Sequence, residues 1–539
     1  MMNLDEWKSG DMDRRGFLRA TGKFAALSLG LTIAGTLQGP RVIGAEPFFK
    51  TYPFTLGVAS GDPLPDGVVL WTRLAPDPMN GGGMPSHDVP VRWEVATDEE
   101  FKHVVQHGVE FARYELGHSV HVEVDGLQPN SVYFYQFKVG NETSPVGRTK
   151  TLPPFGADVS KMTFAFASCQ QYEHGYFTAY RRMVEEDLDL VFHLGDYIYE
   201  YGGNEYKAPN GNVRTHIGSE IITIEDYRNR YAQYRSDADL RAAHAAFPWV
   251  VTMDDHEVEN NFAGLIPEKD QPVEPFILRR AAAYQAYYEH MPLRRSSFPN
   301  GSSMQLYRRL TYGNLAEFNV LDTRQYRDDQ ANGDGSKAPT AESTDPNRTL
   351  TGAEQERWLL EGLGRSKATW NVIAQQVFFA KRDYKSGDGE QFSMDAWDGY
   401  PANRDRILNY ITEHGVSNPV VLTGDVHANW TNEIKADFNN PDSATIGVEF
   451  VGTSISSGGD GADTNSNAQR YMEENPHIKF YNNQRGYVRC TITPESLQAD
   501  YRVLPYVSRP DAPIATRVSF RVENGKPGLT KIYDALVTI

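Results

Sequence analysis

A carboxylate and a phenol follow directly on a strand-like apolar run. The stretch VFHLGDYIYEY, residues 191–201, passes from apolar residues into Gly195, Asp196 and Tyr199. A buried carboxylate without a partner is costly, so proteins pair it with a cationic side chain or a metal ion. We therefore expect Asp196 to have such a partner, and the nature of that partner indicates the chemistry.

Further polar groups follow other buried segments in the same way. MTFAFAS leads to Cys169, PWVVTMDDHE ends in an acidic cluster, EFNVLDTR ends in Arg324, and NPVVLTGDVH ends in His427. Because α/β sheets bind ligands at the carboxyl ends of their strands, we expect these groups to converge in one crevice. The converging residues are Cys169, Asp196, Tyr199, Asp254, Asp255, His256, Glu257, Asp322, Arg324, Asp425 and His427.

The composition of this set favours metal ions. Carboxylates, imidazoles, a thiol and a phenol surround a single arginine, Arg324, so ion pairing alone cannot neutralise them. Thiolate, phenolate and imidazole suit a trivalent or borderline transition ion, whereas oxygen-rich sets suit Ca²⁺, Mg²⁺ or Mn²⁺. We expect two unlike ions that share Asp196. Such a pair can generate hydroxide from water and bind the oxygens of an in-line displacement.

Two of these residues suit the substrate itself. Arg324 can bind a phosphate oxygen bidentately, and His256 can protonate the leaving alkoxide, so both are predicted as catalytic. The alternatives are a salt bridge from Arg324 to Asp322 and a structural His256 satisfied by Asp254. His193, in the middle of its strand, is predicted to be a satisfied core histidine.

The rest of the chain supplies elements that position these groups. Residues 50–153 contain short alternating segments separated by turn signals, which predicts an N-terminal β-sandwich. From residue 162 to 539, strand and helix patterns alternate, which predicts an α/β catalytic domain. Polar inserts at 201–215, 328–350 and 457–468 are predicted to be surface loops or lids, and Gly458-Gly459 is predicted to belong to such a loop.

The first 45 residues are typical of an export signal. Arg14-Arg15 precedes an uncharged run, Phe24–Leu37, which resembles a twin-arginine signal read by the Tat export machinery. An apolar run of this length is too short for a stable membrane span. We therefore predict a periplasmic or extracellular protein, with an uncleaved amphipathic anchor as the alternative.

Charge and cysteine usage narrow the function further. A net charge of −18 argues against nucleic acid or an anionic membrane as a partner. Cys169 and Cys490 are too few for a disulfide framework. They could form one bridge in an oxidising compartment, or Cys169 could bind metal.

Several motifs occur in a fixed order along the chain: SGDPLPDGVVLWTRL, SCQ, GDYIY, DDHEVENN, LDTRQYR, WDGYP and TGDVH. Together they resemble the motifs of the PhoD-like alkaline phosphatase/phosphodiesterase family, a relative of the purple acid phosphatases. The resemblance implies an N-terminal β-sandwich followed by a four-layer αββα metallophosphatase core that binds iron (Fe³⁺) and calcium (Ca²⁺), with Mg²⁺ or Mn²⁺ as substitutes for calcium.

The resemblance also implies a ligand set. Iron would be bound by Cys169, Asp196, Tyr199 and His427, and calcium by Asp196, Asp255 and Asp425. Asp254 is an alternative to Asp255, and Gln376 is a further candidate ligand at a neighbouring strand end. Relative to purple acid phosphatases, Cys169, Asp255 and Asp425 replace Asp, Asn and His, which favours a second ion harder than zinc.

The expected function is a secreted metal-dependent phosphoesterase that hydrolyses phosphate monoesters and diesters through metal-bound hydroxide at alkaline pH. Two alternatives stay open. The same core would accept a bulky lipid diester, which is phospholipase D-type action. A binding protein built on a degraded phosphatase would instead be expected to lack some of the ligand residues.

Overall fold

The computed structural model describes residues 49–269, 271–440 and 442–537. The predicted export signal, residues 1–45, lies outside the described residues. The strands are β1 (Val58–Leu64), β2 (Gly67–Arg73), β3 (Val89–Ala96), β4 (Val104–Ala112), β5 (Ser119–Asp125), β6 (Val132–Val139), β7 (Glu142–Thr143), β8 (Gly147–Lys150), β9 (Met162–Ala167), β10 (Leu190–His193), β11 (Pro248–Val251), β12 (Arg308–Tyr312), β13 (Ala316–Val320), β14 (Ser336–Lys337), β15 (Trp370–Ala374), β16 (Phe392–Ser393), β17 (Pro419–Thr423), β18 (Asn429–Lys435), β19 (Thr445–Val451), β20 (Ile478–Asn482), β21 (Arg485–Ile492), β22 (Ser496–Leu504), β23 (Ala515–Glu523) and β24 (Lys526–Asp534).

The helices cover the sheets from outside. They are α1 (Thr178–Val184), α2 (Ile224–Arg235), α3 (Ala238–Ala246), α4 (Val273–His290), α5 (Gly352–Arg365), α6 (Pro401–His414) and α7 (Ala468–Glu474). In the described part of the chain, none of them combines the length and the apolar character that crossing a bilayer requires.

Two large sheets form the centre of the molecule. In the described residues the first has ten strands, in the order β24-β23-β22-β21-β9-β10-β11-β1-β2-β5, and the second has seven, in the order β12-β13-β15-β17-β19-β18-β20. Strands β9, β10 and β11 run parallel, as do β13, β15, β17 and β19. Parallel strands carry their carboxyl ends to one edge, which is where the chemistry-bearing residues follow them.

The two sheets pack face to face. Phe164 and Phe192 of the first sheet contact Phe318 of the second, with ring centroids 5.3 and 4.8 Å apart. Helices α1–α4 bury side chains such as Tyr284 against the outer face of the first sheet, and α5 and α6 bury side chains such as Ile407 against the second. The layers are therefore helix, sheet, sheet, helix, as the family resemblance implied.

The N-terminal region is joined to the first sheet. Strand β1 pairs in parallel with β11, with Ser60 opposite Pro248, and β2 and β5 continue the same sheet. The other N-terminal strands form a separate sheet that packs on β1, β2 and β5 and buries Val91 and Phe137. The sandwich thus shares a sheet with the catalytic core, and the division at residues 50–153 and 162–539 stays a prediction.

Candidate active site

The strand ends bring the predicted residues together. The ligand atoms of Cys169, Asp196 and His427 lie within 4.8 Å of one another, and so do those of Asp196, Asp255 and His256. Asp196 belongs to both groups. A carboxylate shared by two neighbouring groups can bridge two ions, so the arrangement suits a two-metal centre.

The backbone at these residues is strained. Cys169, Asp196, Asp425 and His427 have φ values of 60°, 56°, 63° and 51°, a left-handed conformation that side chains other than glycine rarely adopt. Such strain costs about 1–3 kcal/mol per residue and persists only where the surroundings enforce it. Gly195 is needed beside them, since a Cβ there would lie 2.4 Å from the Cβ of Asp254.

Several carboxylate oxygens of the cluster are buried and unsatisfied. Within the described residues, Asp196 Oδ1, Asp254 Oδ2 and Asp255 Oδ1 have no hydrogen-bond partner. Burial raises the pKa of Asp254 well above its usual range and that of Asp425 to about 7. Buried carboxylates with free oxygens are expensive without cations, so these residues fit bound metal ions.

Tyr199 lies at the first of the two groups. Its hydroxyl donates to Asp196 Oδ2 at 2.8 Å and lies 3.2 Å from His427 Nε2 and 2.7 Å from Ser457 Oγ. Burial and the neighbouring Asp196 raise the pKa of this phenol well above its usual value. The structure therefore places Tyr199 with Cys169, Asp196 and His427.

The two cysteines lie in different buried environments. Both thiols are free and buried, so the alternative of a Cys169–Cys490 bridge was wrong. Cys490 lies on β21 opposite Phe164, in the apolar layer between the sheets. Cys169 follows β9 into the cluster, where burial and then Asp196 raise the pKa of its thiol.

Arg324 lies inside a ring of carboxylates. Its Nε donates to Asp254 Oδ1 at 2.5 Å and its Nη1 to Asp395 Oδ1 at 2.8 Å. The remaining Nη2 lies 3.7 Å from Asp255 Oδ1 and 3.6 Å from Asp425 Oδ1 and makes no hydrogen bond among the described residues. The alternative salt bridge with Asp322 was wrong, because that carboxylate accepts the backbone N–H of Arg324 instead.

His256 is held by Glu200 and not by Asp254. Its Nδ1 lies 2.7 Å from Glu200 Oε2, and its ring stacks on Tyr199 with centroids 4.1 Å apart. Burial disfavours the charged ring, but the carboxylates of Glu200, Asp255 and Asp196 outweigh it and raise the pKa of His256 well above its usual value. The ring is thus oriented towards the cluster by two residues of the GDYIYE segment.

Gln376 is committed to hydrogen bonds that join strand ends. Its Oε1 accepts from the N–H and the hydroxyl of Thr323 at 3.2 and 2.7 Å, and its Nε2 donates to Thr252 Oγ1 and to the carbonyl of Leu321 at 2.9 Å each. The amide therefore ties three segments together, and neither of its polar atoms is free.

His193 occupies the core but is not satisfied there. The ring is buried and stacks on Trp249, with centroids 6.0 Å apart, but neither ring nitrogen has a hydrogen-bond partner among the described residues. Burial lowers its pKa to about 3, so it stays neutral. The core position was predicted correctly, and the expected hydrogen bonding was wrong.

Sequence reasoning missed Glu257 as an organising residue. This buried carboxylate accepts the backbone N–H groups of Asp196, Tyr197 and Asp254, at 3.1, 2.6 and 2.9 Å. It thereby ties together the segments that follow β10 and β11. The DDHE motif signalled an acidic cluster but not which member would turn away from the site.

Two further neighbours were missed. Asp395 accepts hydrogen bonds from Arg324, Arg327 and Gln330 through one oxygen. Ser457, in the insert predicted as a plain loop with Gly458-Gly459, donates to the Cys169 carbonyl at 2.7 Å and so joins the cluster. The WDGYP motif begins two residues after Asp395, whereas nothing local marked Ser457.

Comparison with protein-family models identifies the family of the chain. Residues 164–501 match the family model described as PhoD-like phosphatase, and residues 42–153 match its N-terminal domain. The chain belongs to the PhoD-like phosphatase family. The predictions of a PhoD-like family member and of a phosphoesterase are thereby confirmed.

Individual relatives agree with this assignment. The PhoD-like chain is 64% identical to alkaline phosphatase D of Bacillus subtilis (strain 168) over 543 residues, 99% of this chain and 93% of the relative. A solved structure of PhoD matches with a TM-score of 0.90 at 65% identity, covering 91% of this chain and 94% of that one. Purple acid phosphatase PPD1 of yellow lupin matches with a TM-score of 0.52 at 13% identity, covering 86% and 74%, and shares the fold.

Proposed function

We propose that this PhoD-like phosphatase is an exported, metal-dependent alkaline phosphatase and phosphodiesterase that hydrolyses phosphate monoesters and diesters. The observation that carries the proposal is the pair of ligand groups sharing Asp196. Their unpartnered carboxylate oxygens call for cations, and they follow the carboxyl ends of parallel strands, where α/β sheets bind ligands.

The donor chemistry supports two unlike ions. Cys169, Asp196, Tyr199 and His427 would bind Fe³⁺, because thiolate, phenolate and imidazole suit that ion. Asp196, Asp255 and Asp425 would bind Ca²⁺, or Mg²⁺ or Mn²⁺ in its place, because carboxylates suit hard ions. When bound, the two ions would activate water and neutralise charge on the phosphoryl oxygens.

Arg324 is proposed to hold the substrate. Asp254 and Asp395 bind its Nε and Nη1, so the guanidinium plane is fixed and only Nη2 is left open. A guanidinium held in this way can donate to a phosphoryl oxygen without losing further side-chain entropy. Asp254 thus orients Arg324 through one oxygen, which makes Asp255 the better proposed metal ligand.

His256 is proposed to protonate the leaving alkoxide. Glu200 accepts a hydrogen bond from Nδ1–H of the ring, which leaves Nε2 as the atom that can pass a proton to the substrate. The stacked ring of Tyr199 keeps the imidazole plane in place. Glu200 and Tyr199 therefore position the proposed acid relative to the ligand groups.

Export by the Tat route is proposed from residues 1–45, with the periplasm or the extracellular space as destination. The support is the Arg14-Arg15 pair followed by a short uncharged run. This route carries proteins that fold before they cross, which suits an enzyme whose buried cluster must bind its ions during folding.

The test is an assay of enzyme purified without chelator on a nitrophenyl monoester, its bis-ester and phosphatidylcholine, with metal content measured in parallel. We expect hydrolysis of the monoester and the bis-ester, loss after chelation, and recovery with Fe³⁺ plus Ca²⁺. Full activity in metal-free protein would contradict the proposal. Preferential release of the phosphatidylcholine head group would favour the phospholipase D alternative.

A further inference from the structure

The insert that follows Glu200, residues 201–220, is fixed firmly to the core. Glu173 Oε1 accepts the backbone N–H groups of Asn204 and His216 at 2.8 and 3.0 Å. Arg230 donates to the carbonyl of Tyr201 at 2.8 Å. A loop whose backbone is bound by buried charged side chains can present a side chain at a defined position.

Tyr206 is the residue that this insert places beside the cluster. Its ring lies 5.2 Å from the ring of Tyr201, 4.6 Å from that of His174 and 6.4 Å from that of Tyr199. The side chain is partly exposed, whereas Tyr199 below it is fully buried. Tyr206 therefore lies between the ligand groups and solvent.

The hydroxyl of Tyr206 has no assigned partner. Among the described residues none hydrogen-bonds it, although the carbonyl of the same residue accepts from His174 Nε2 at 3.2 Å. Burial raises the pKa of this phenol, the charge of His256 lowers it and the charge of Asp196 raises it. The side chain thus keeps a partly exposed surface beside Tyr199, and its hydroxyl is not committed to a hydrogen bond within the described residues.

We propose that Tyr206 is a specificity-determining residue that contacts the group esterified to the phosphate and favours a planar aromatic group. The inference rests on the proposed phosphoesterase function. The transferred phosphoryl group would lie at the ligand groups below, so a ring above them meets the alcohol or non-leaving ester group. Stacked or edge-to-face aromatic contacts contribute enough affinity to change binding about two- to ten-fold.

The first experiment compares two diesters with the same leaving group, bis(4-nitrophenyl) phosphate and methyl 4-nitrophenyl phosphate, so that only the non-leaving group differs. We expect Tyr206→Ala to reduce the preference in kcat/KM for the aromatic diester about five-fold, mainly through KM. Tyr206→Phe should keep the preference within about two-fold, because it keeps the ring. An equal loss on both diesters would overturn the proposal.

The matched control is Tyr533→Ala, which removes a half-exposed tyrosine from β24 at the far edge of the first sheet. It should leave the preference unchanged. Metal content and melting temperature of each variant show whether Tyr206→Ala folds. Tyr206→Leu, which keeps a sizeable apolar side chain without an aromatic ring, should lose the preference as Tyr206→Ala does. A Tyr206→Leu variant that kept the full preference would overturn the proposal.

A binding measurement separates this inference from the proposed function. Calorimetric titration of the metal-loaded enzyme with phenylphosphonate and methylphosphonate needs no turnover. We expect tighter binding of phenylphosphonate in the wild type and loss of that difference in Tyr206→Ala. If esters are not hydrolysed but the wild type binds phenylphosphonate more tightly than methylphosphonate and Tyr206→Ala does not, the proposed function fails and the inference stands. If hydrolysis is normal and the difference is the same in both proteins, the inference fails alone.

Discussion

The ligand cluster and the core of the N-terminal sandwich are both built on β-strands, but they bury opposite kinds of side chain. In the sandwich, Val91 and Phe137 point into an apolar layer, and burial stabilises the fold directly. In the cluster, strand ends bury carboxylates with unpartnered oxygens on strained backbone, as at Asp196. The first region gains stability from what it buries, and the second retains unfavourable groups that a bound cation would satisfy.

The largest expected effect comes from Asp196→Asn. We expect turnover to decrease by about a thousand-fold or more, and bound iron to decrease with it, because the amide cannot neutralise or bridge two cations. With chelator present the same variant should be at least as stable as the wild type, since it removes an uncompensated buried charge. Kinetics, elemental analysis and thermal unfolding measure the three results.

The control for that variant is Asp189→Asn, at the amino end of the segment that forms β10, where the carboxylate pairs with Lys150 at 2.5 Å. It should keep normal metal content and activity. Normal iron content and normal turnover in Asp196→Asn would show that Asp196 is not a ligand shared by two ions.

In the sandwich core, Phe137→Ala should lower the free energy of unfolding by about 3–5 kcal/mol, because it leaves a cavity where the ring is fully buried. The kcat of the remaining folded enzyme should not change. Denaturant unfolding and assays at low temperature separate the two quantities. Val109→Ala, at an exposed site on β4, is the control and should shift stability by about 0.5 kcal/mol or less. Loss of metal from Phe137→Ala would show that the sandwich core and the ligand cluster depend on each other, which would contradict this comparison.

Glu257→Gln should weaken metal binding about 10- to 100-fold while keeping the ligands themselves. Both oxygens of the Glu257 carboxylate accept hydrogen bonds from backbone N–H groups. The amide of Gln would keep one acceptor oxygen but would place its NH₂ group against backbone N–H donors. Competition with a chelator measures the affinity. Glu361→Gln, at an exposed position on α5, is the reference. An unchanged metal affinity in Glu257→Gln would show that Glu257 only fills space.

The smallest effect concerns pH at the contact between the sandwich strand β5 and the end of helix α4. His121 on β5 contacts the carbonyls of Tyr288 and Met291 at 2.9 and 3.0 Å, and burial lowers its pKa from 6.5 to about 4. Between these values the unfolded chain binds a proton that the folded chain does not, so stability should decrease as the pH is lowered from 6.5 to 4. The melting temperature of His121→Gln should decrease less over that interval, and parallel curves for both proteins would contradict this account.

The α/β core and the convergence of the site residues were predictable because both depend on local pattern, whereas the four-layer order was implied by the family resemblance. Apolar runs such as VFHL need cover on both faces, and parallel strands carry the residues that follow them to one edge. Cys169, Asp196 and His427 can therefore be grouped from the amino-acid sequence alone.

Contacts between side chains distant in the chain were not predictable. The pairing of Arg324 with Asp395, of His256 with Glu200 and of Ser457 with Tyr199 depends on loop paths and rotamers that no periodic pattern encodes. The joining of β1 to β11 was missed for a similar reason, because a strand carries no sequence mark of which strand will pair with it. The order of the motifs predicted which groups meet, whereas the hydrogen-bond partner of each group was known only from the structure.

The most direct test of the central claim is X-ray diffraction from crystals of enzyme purified without chelator, with data collected on both sides of the iron absorption edge. The account predicts an anomalous iron peak within bonding distance of Cys169 Sγ, Asp196 and His427 Nε2, with a second, lighter ion on the other side of Asp196. An active enzyme whose crystals show no metal peak between these side chains would contradict it.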